Sequence, residues 1–106
     1  MEQKLENVIF SYTDMQALMD GVLVSVNMPP VNRVTRAVFD DFAEDLGGPN
    51  NPGMRWNITP IHRAINAILA LQPDSDGWRT GSYQGKELWL VPNEVAGLTL
   101  MFPEDY

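Results

Sequence analysis

Read as alternating apolar and polar positions, the chain divides into three helical stretches and a strand-rich end. Val8, Ile9 and Phe10 lead into Thr13, a helix-capping residue, and Gln16 stands three positions on, the spacing at which its side chain reaches back to complete a capping box. A short helix from Asp14 to Asp20 is predicted. Gly21 occupies the place where a left-handed cap ends a helix, and Val22, Leu23, Val24, Ser25 and Val26, rich in branched side chains, read as a strand. Pro29 and Pro30 then break the pattern. From Thr35 a second helix places Val38, Phe39, Phe42 and Leu46 on one side at about 100° per residue, with Gly47 and Gly48 ending it. Asp40, Asp41, Glu44 and Asp45 fall on its opposite side, and Arg36 stands four positions before Asp40, the spacing of a helical ion pair.

Gly48, Pro49, Asn50, Asn51, Pro52 and Gly53 form the most loop-like stretch, read as a connector within one domain. Thr59 and Pro60 are a cap and first-turn pair, after which Ile61, Ile65, Ile68 and Leu69 line one face of a third helix reaching about Leu71. Beyond Pro73 the period shortens to that of strands. Trp78 to Tyr83 and Lys86 to Val91 flank Gln84 and Gly85, which suits a hairpin with a two-residue loop, and Leu98 to Phe102 supplies a further strand. A two-residue loop puts Trp78, Trp89 and Val91 on one face and Tyr83, Leu88 and Leu90 on the other. Both faces are apolar, so whichever does not meet the helices must be closed by the N-terminal segment, a second copy of the chain or a foreign partner.

Composition narrows the class. A chain of 106 residues fits one domain, and 44% apolar residues with three Trp, three Tyr and four Phe supply a core. No window resembles a membrane span or an apolar signal core, so the cytoplasm is the expected compartment. Fourteen acidic against seven basic residues give a net charge of −7, which opposes binding to nucleic acid and to anionic membranes and leaves a neutral or basic protein as the expected partner. The basic residues are scattered rather than gathered in a stripe.

Candidate chemistry is sparse. The chain has no cysteine and one histidine, His62, which excludes disulfides and thiolate zinc sites and leaves most imidazole-based sites without ligands. No serine nucleophile sits in a motif around His62, and the reading is of a protein without cofactor, metal site or catalytic residues. Asp40, Asp41, Glu44 and Asp45 lack the alternating ligands and central glycine of a calcium loop. They remain candidates for docking a basic partner, and joined with Asp74, Asp76, Glu104 and Asp105 they would make a nucleic-acid mimic. Trp78 and Trp89 are the other candidate contact, because tryptophan on a sheet face suits a partner as well as a core.

One likeness cuts across these elements. Phe10, Ser11, Tyr12, Thr13, then Asp20 to Val24, then Thr35, Arg36, Ala37, Val38 resemble, in order, the early motifs of an uncharacterised family of small bacterial proteins carried on plasmids and prophages. Arg55 to Ile58, Arg63 to Ile65 and Leu98 to Asp105 resemble its later ones. The chain departs from that family at Asn27, Met28, Pro29 and Pro30, where relatives carry a helical insertion, and at Pro60, where they run a continuous helix. The resemblance implies a setting on mobile genetic elements and no mechanism.

The expectation is therefore a single α+β domain over residues 1–106, two to three helices on a small, largely antiparallel sheet formed mainly by the C-terminal third. Its expected function is that of a non-enzymatic accessory protein of a phage or plasmid, binding a host defence or regulatory protein or associating with itself. A small ligand-binding or enzymatic domain, with a pocket near His62, Arg36 or Tyr12 between sheet and helices, is the alternative, and acidic mimicry of nucleic acid is another. The expected core is Val38, Phe42, Leu46, Ile61, Ile65, Ile68, Leu88, Leu90, Leu100 and Phe102.

Overall fold

A computed structural model describes residues 13–106; Val8 to Phe10, Ser11 and Tyr12 lie outside the described residues. Thr13 opens α1 (Asp14–Met19) with the full capping box, its side chain accepting from the Gln16 N–H and the Gln16 side chain accepting from the Thr13 N–H. Gly21, at φ +74°, turns the chain into β1 (Leu23–Met28), and Pro29 and Pro30 turn it back into β2 (Val31–Thr35). β2 is a strand that the sequence pattern does not announce. Thr35 ends it and at once caps α2 (Arg36–Phe42), accepting from the Val38 N–H at 3.3 Å.

α2 stops earlier than its apolar spacing predicts. Ala43 is extended, and Glu44 and Asp45 form β3 (Glu44–Asp45), paired antiparallel with β4 (Trp56–Asn57). Glu44 and Asp45 are thus on a hairpin and not on the back of a helix, and Leu46, expected in the core, is exposed. The helix stops where the hairpin takes over, Glu44 pairing with Asn57 and Asp45 with Trp56, and a longer helix would have set those two carboxylates at its negative end. In the hairpin Asp45 instead accepts backbone N–H groups. α3 (Thr59–Leu69) follows β4 directly, with Ile58 rather than Thr59 at the cap position.

The C-terminal third forms β5 (Arg79–Tyr83), β6 (Lys86–Pro92) and β7 (Leu98–Met101), then a 3-10 turn (Pro103–Asp105). Gln84 and Gly85 both have positive φ, the requirement of a tight two-residue hairpin, and set the register Tyr83 opposite Lys86 and Thr80 opposite Trp89. The sheet order is β1-β2-β7-β6-β5, antiparallel throughout except for the parallel pair β2 and β7. This is a small α+β fold, its mixed sheet built mainly from β5 to β7.

α2 and α3 cover one face of that sheet. Val34, Leu88, Leu90 and Leu100 meet Val38, Phe42, Ile61, Ile65 and Ile68 there in one continuous core. Phe102 is half-buried at its edge, its ring centroid 6.4 Å from that of Phe42. The opposite face carries Leu23, Arg33, Thr35, Trp89, Val91, Thr99 and Met101, by the pairing of Leu23 with Thr35 and of Trp89 with Met101. Among the described residues, α1 and the C-terminal turn lie on this second face.

Candidate functional site

The register that places Leu88 and Leu90 in the core places Trp89 on the second face, where it meets Trp78 and Tyr106. The three rings form a closed triangle: centroids lie 5.5 Å apart between Trp78 and Trp89, 4.9 Å between Trp78 and Tyr106, and 6.0 Å between Trp89 and Tyr106. Their planes are inclined by 53–65°, the edge-on and tilted geometry that aromatic quadrupoles favour. Rings in mutual contact leave no room for a cation between them, so this is an aromatic patch and not an aromatic cage. The Trp89 indole N–H donates to Glu87 Oε2 at 3.1 Å, which fixes its rotamer at the surface.

The C-terminal turn holds Tyr106 in place. Asp105 Oδ2 accepts from the Thr35 hydroxyl at 2.7 Å and from the Phe102 N–H at 3.1 Å, tying the turn to the junction of β2 and α2. On the other side of the same face α1 is fastened by Arg33, whose Nε and Nη2 donate to the two oxygens of Asp14 at 2.9 and 2.8 Å. That hydrogen bonding holds the Arg33 pKa above its ordinary value, against the opposing effect of burial and with the Asp14 charge in support. Beside this pair, Ala17, Leu23, Val91, Thr99 and Met101 line a groove of about 150 Å³.

The acidic candidates are not gathered into one site. Asp40 pairs with Arg36 at 2.9 Å, Asp41 with Lys86 at 2.8 Å, and Glu44 accepts from the Asn57 side chain at 3.1 Å. Asp45 accepts from Gly47 and Gly53, and Asp74 from the N–H groups of Asp76 and Trp78. Among the described residues no group of three or more His, Asp or Glu side chains stands close enough to hold a metal ion. His62 is half-buried in the first turn of α3. No described helix is long and apolar enough to cross a membrane.

Two features escape the sequence reading. Tyr106 joins the tryptophans from the far end of the chain, a contact that no local spacing signals. Met54 and Trp56, embedded in a stretch rich in Gly, Pro and Asn, stand in solvent with Leu46; apolar residues inside such a stretch were the available clue.

Comparison of the chain with protein-family models, with curated proteins and with solved structures finds no match.

Proposed function

We propose that this chain is a non-enzymatic, cytoplasmic accessory protein of a phage or plasmid that binds a protein partner through the Trp78, Trp89 and Tyr106 patch. The observation that carries the reading is the patch itself. Three large aromatic side chains with polar tips, Trp78 and Trp89 half-buried and Tyr106 exposed, ordered by one another, have the composition and rigidity of binding hot spots. The mobile-element setting rests on the order of the sequence motifs alone. A host defence or regulatory protein is the partner this setting suggests.

The rival readings have less support. Neither the groove on the second face nor the recess of about 440 Å³ beside Asp41, Lys86 and Phe102 is lined by His62 or Arg36, the polar groups expected of a pocket between sheet and helices. A nucleic-acid mimic requires carboxylates in a regular, free strip, whereas Asp40, Asp41, Glu44, Asp45 and Asp105 are each engaged by a different internal partner.

Affinity capture from bacterial host lysate, with wild type and Trp89→Leu compared by quantitative mass spectrometry, tests the proposal. A protein captured saturably by wild type and depleted with Trp89→Leu supports it. Equal capture by both, or none above background, contradicts it.

A further inference from the structure

The aromatic patch ends on a carboxylate. Strand alternation puts Glu87 on the second face with Trp89, and its Oε2 accepts from the Trp89 indole N–H at 3.1 Å, so a negative charge stands at a fixed place beside the ring. Glu87 also lines a recess of about 440 Å³, together with Asp41, Lys86, Phe102, Pro103 and Glu104. Asp41 and Lys86 neutralise one another at 2.8 Å. Glu87 and Glu104 are exposed, and neither is ion-paired among the described residues. At the margin of the patch, therefore, an apolar floor of Phe102 and Pro103 lies beside two uncompensated carboxylates.

The chain's neighbouring cations do not supply the missing charge. Arg33 is held by Asp14 and Lys86 by Asp41, while Arg79, opposite Leu90, turns to the core face and donates to the Leu71 carbonyl at 3.1 Å. On β5 the residues opposite Trp89 and Glu87 are Thr80 and Ser82, both uncharged. A partner seated on the patch thus meets aromatic surface with carboxylates at its edge, and the complement of that arrangement is a cation carried on an apolar segment. Arginine fits it better than lysine. Its planar guanidinium can lie against the exposed part of an indole while it donates to a carboxylate beside the ring. The three rings leave no room for a cation among themselves, so the recess is where it would enter.

We propose that the patch receives an arginine-bearing, otherwise apolar segment of a partner protein, with apolar side chains on Trp78 and Trp89 and the guanidinium in the recess beside Glu87 and Glu104. This rests on the patch being a protein contact and adds the chemistry of what it contacts. Selection of a displayed library of random short peptides on the full chain, followed by calorimetry with the synthetic peptides that emerge, tests it. The expected peptides share an arginine next to an apolar residue. They should lose about ten-fold or more in affinity when that arginine becomes citrulline, and equally on the double variant Glu87→Gln with Glu104→Gln. A glutamine at 87 still offers an oxygen to the Trp89 indole, so the variant removes charge and keeps the ring's support. Glu87→Arg should in turn prefer the same peptides with glutamate in place of arginine, and Trp89→Leu should weaken them all. Peptides that need Trp89 yet bind the double variant as tightly as wild type overturn the arginine and leave the patch standing. The absence of any Trp89-dependent peptide overturns both. Sedimentation that shows the chain associating with itself, and less so in the double variant, overturns the proposal as well, since the occupant would then be a second copy.

Discussion

Arg33 and Asp14 meet through two parallel hydrogen bonds, Nε to Oδ1 and Nη2 to Oδ2, with side chains only 15% and 13% exposed. This pair fastens α1 across β2 and so helps fix the second face of the sheet. Being mostly buried, it is screened little by salt, and removing one partner leaves the other charge uncompensated. Asp14→Ala should destabilise the protein by about 2–4 kcal/mol, measured by urea unfolding. The pH dependence follows from the raised Arg33 pKa. A group whose pKa is higher in the folded state stabilises fully below its unfolded pKa and loses that contribution as pH rises through the folded one. The arginine's contribution is therefore constant through neutral and mildly alkaline pH and is lost only in strong alkali.

Ile65 and Leu46 occupy equivalent positions in the sequence pattern and opposite ones in the molecule. Ile65 is fully buried between α3 and the sheet, while Leu46 stands in solvent on the hairpin. Ile65→Ala should cost about 2–5 kcal/mol through lost burial and a residual cavity, whereas Leu46→Ala should change stability by no more than about 0.5 kcal/mol. Thermal melts of the two variants check the contrast.

Gly97 faces Asn32 so closely that an added Cβ would overlap the Asn32 side-chain amide. That amide accepts from Asn93 at 2.8 Å and donates to the Val95 carbonyl at 3.1 Å, while Asn93 also accepts from the N–H groups of Val95 and Gly97. Gly97→Ala should break this lock between β2 and the loop before β7, at about 1–3 kcal/mol. Hydrogen exchange should show new loss of protection at Val95 and Gly97.

These contrasts mark what the sequence made legible. Elements governed by local chemistry were readable: the capping box at Thr13 and Gln16, the left-handed Gly21, the Gln84 and Gly85 turn, and the apolar face of α3. The hairpin turn alone fixed which face Trp89 shares with Val91, because strand side chains alternate strictly. What failed was set by contacts distant in sequence. β2 is held by β1 on one side and by a parallel pairing with β7 on the other, and nothing within Val31 to Thr35 announces the second partner. The end of α2 depends on Asp45 finding Gly53 and on Phe39 finding Trp56, so the apolar spacing that reached Leu46 overran it. At the candidate site, Trp78 and Trp89 were legible as a pair through the register, whereas Tyr106 arrives by a fold of the C-terminal turn that Asp105 and Thr35 secure.

Thr35 combines two tasks at one buried hydroxyl, accepting from the Val38 N–H and donating to Asp105. Thr35→Val should remove both at a cost of about 1–2 kcal/mol and should loosen the turn that carries Tyr106. Acrylamide quenching should then reach the tryptophan fluorescence more readily than in wild type.

The central claim is that the Trp78, Trp89 and Tyr106 patch is a contact for another protein, and titration calorimetry with the purified captured partner tests it most directly. Trp89→Ala should weaken binding by more than about 1 kcal/mol while the variant still unfolds in one cooperative transition. An unchanged Kd would contradict the claim, and so would a variant that fails to fold, since Trp89 would then serve the core and not a partner.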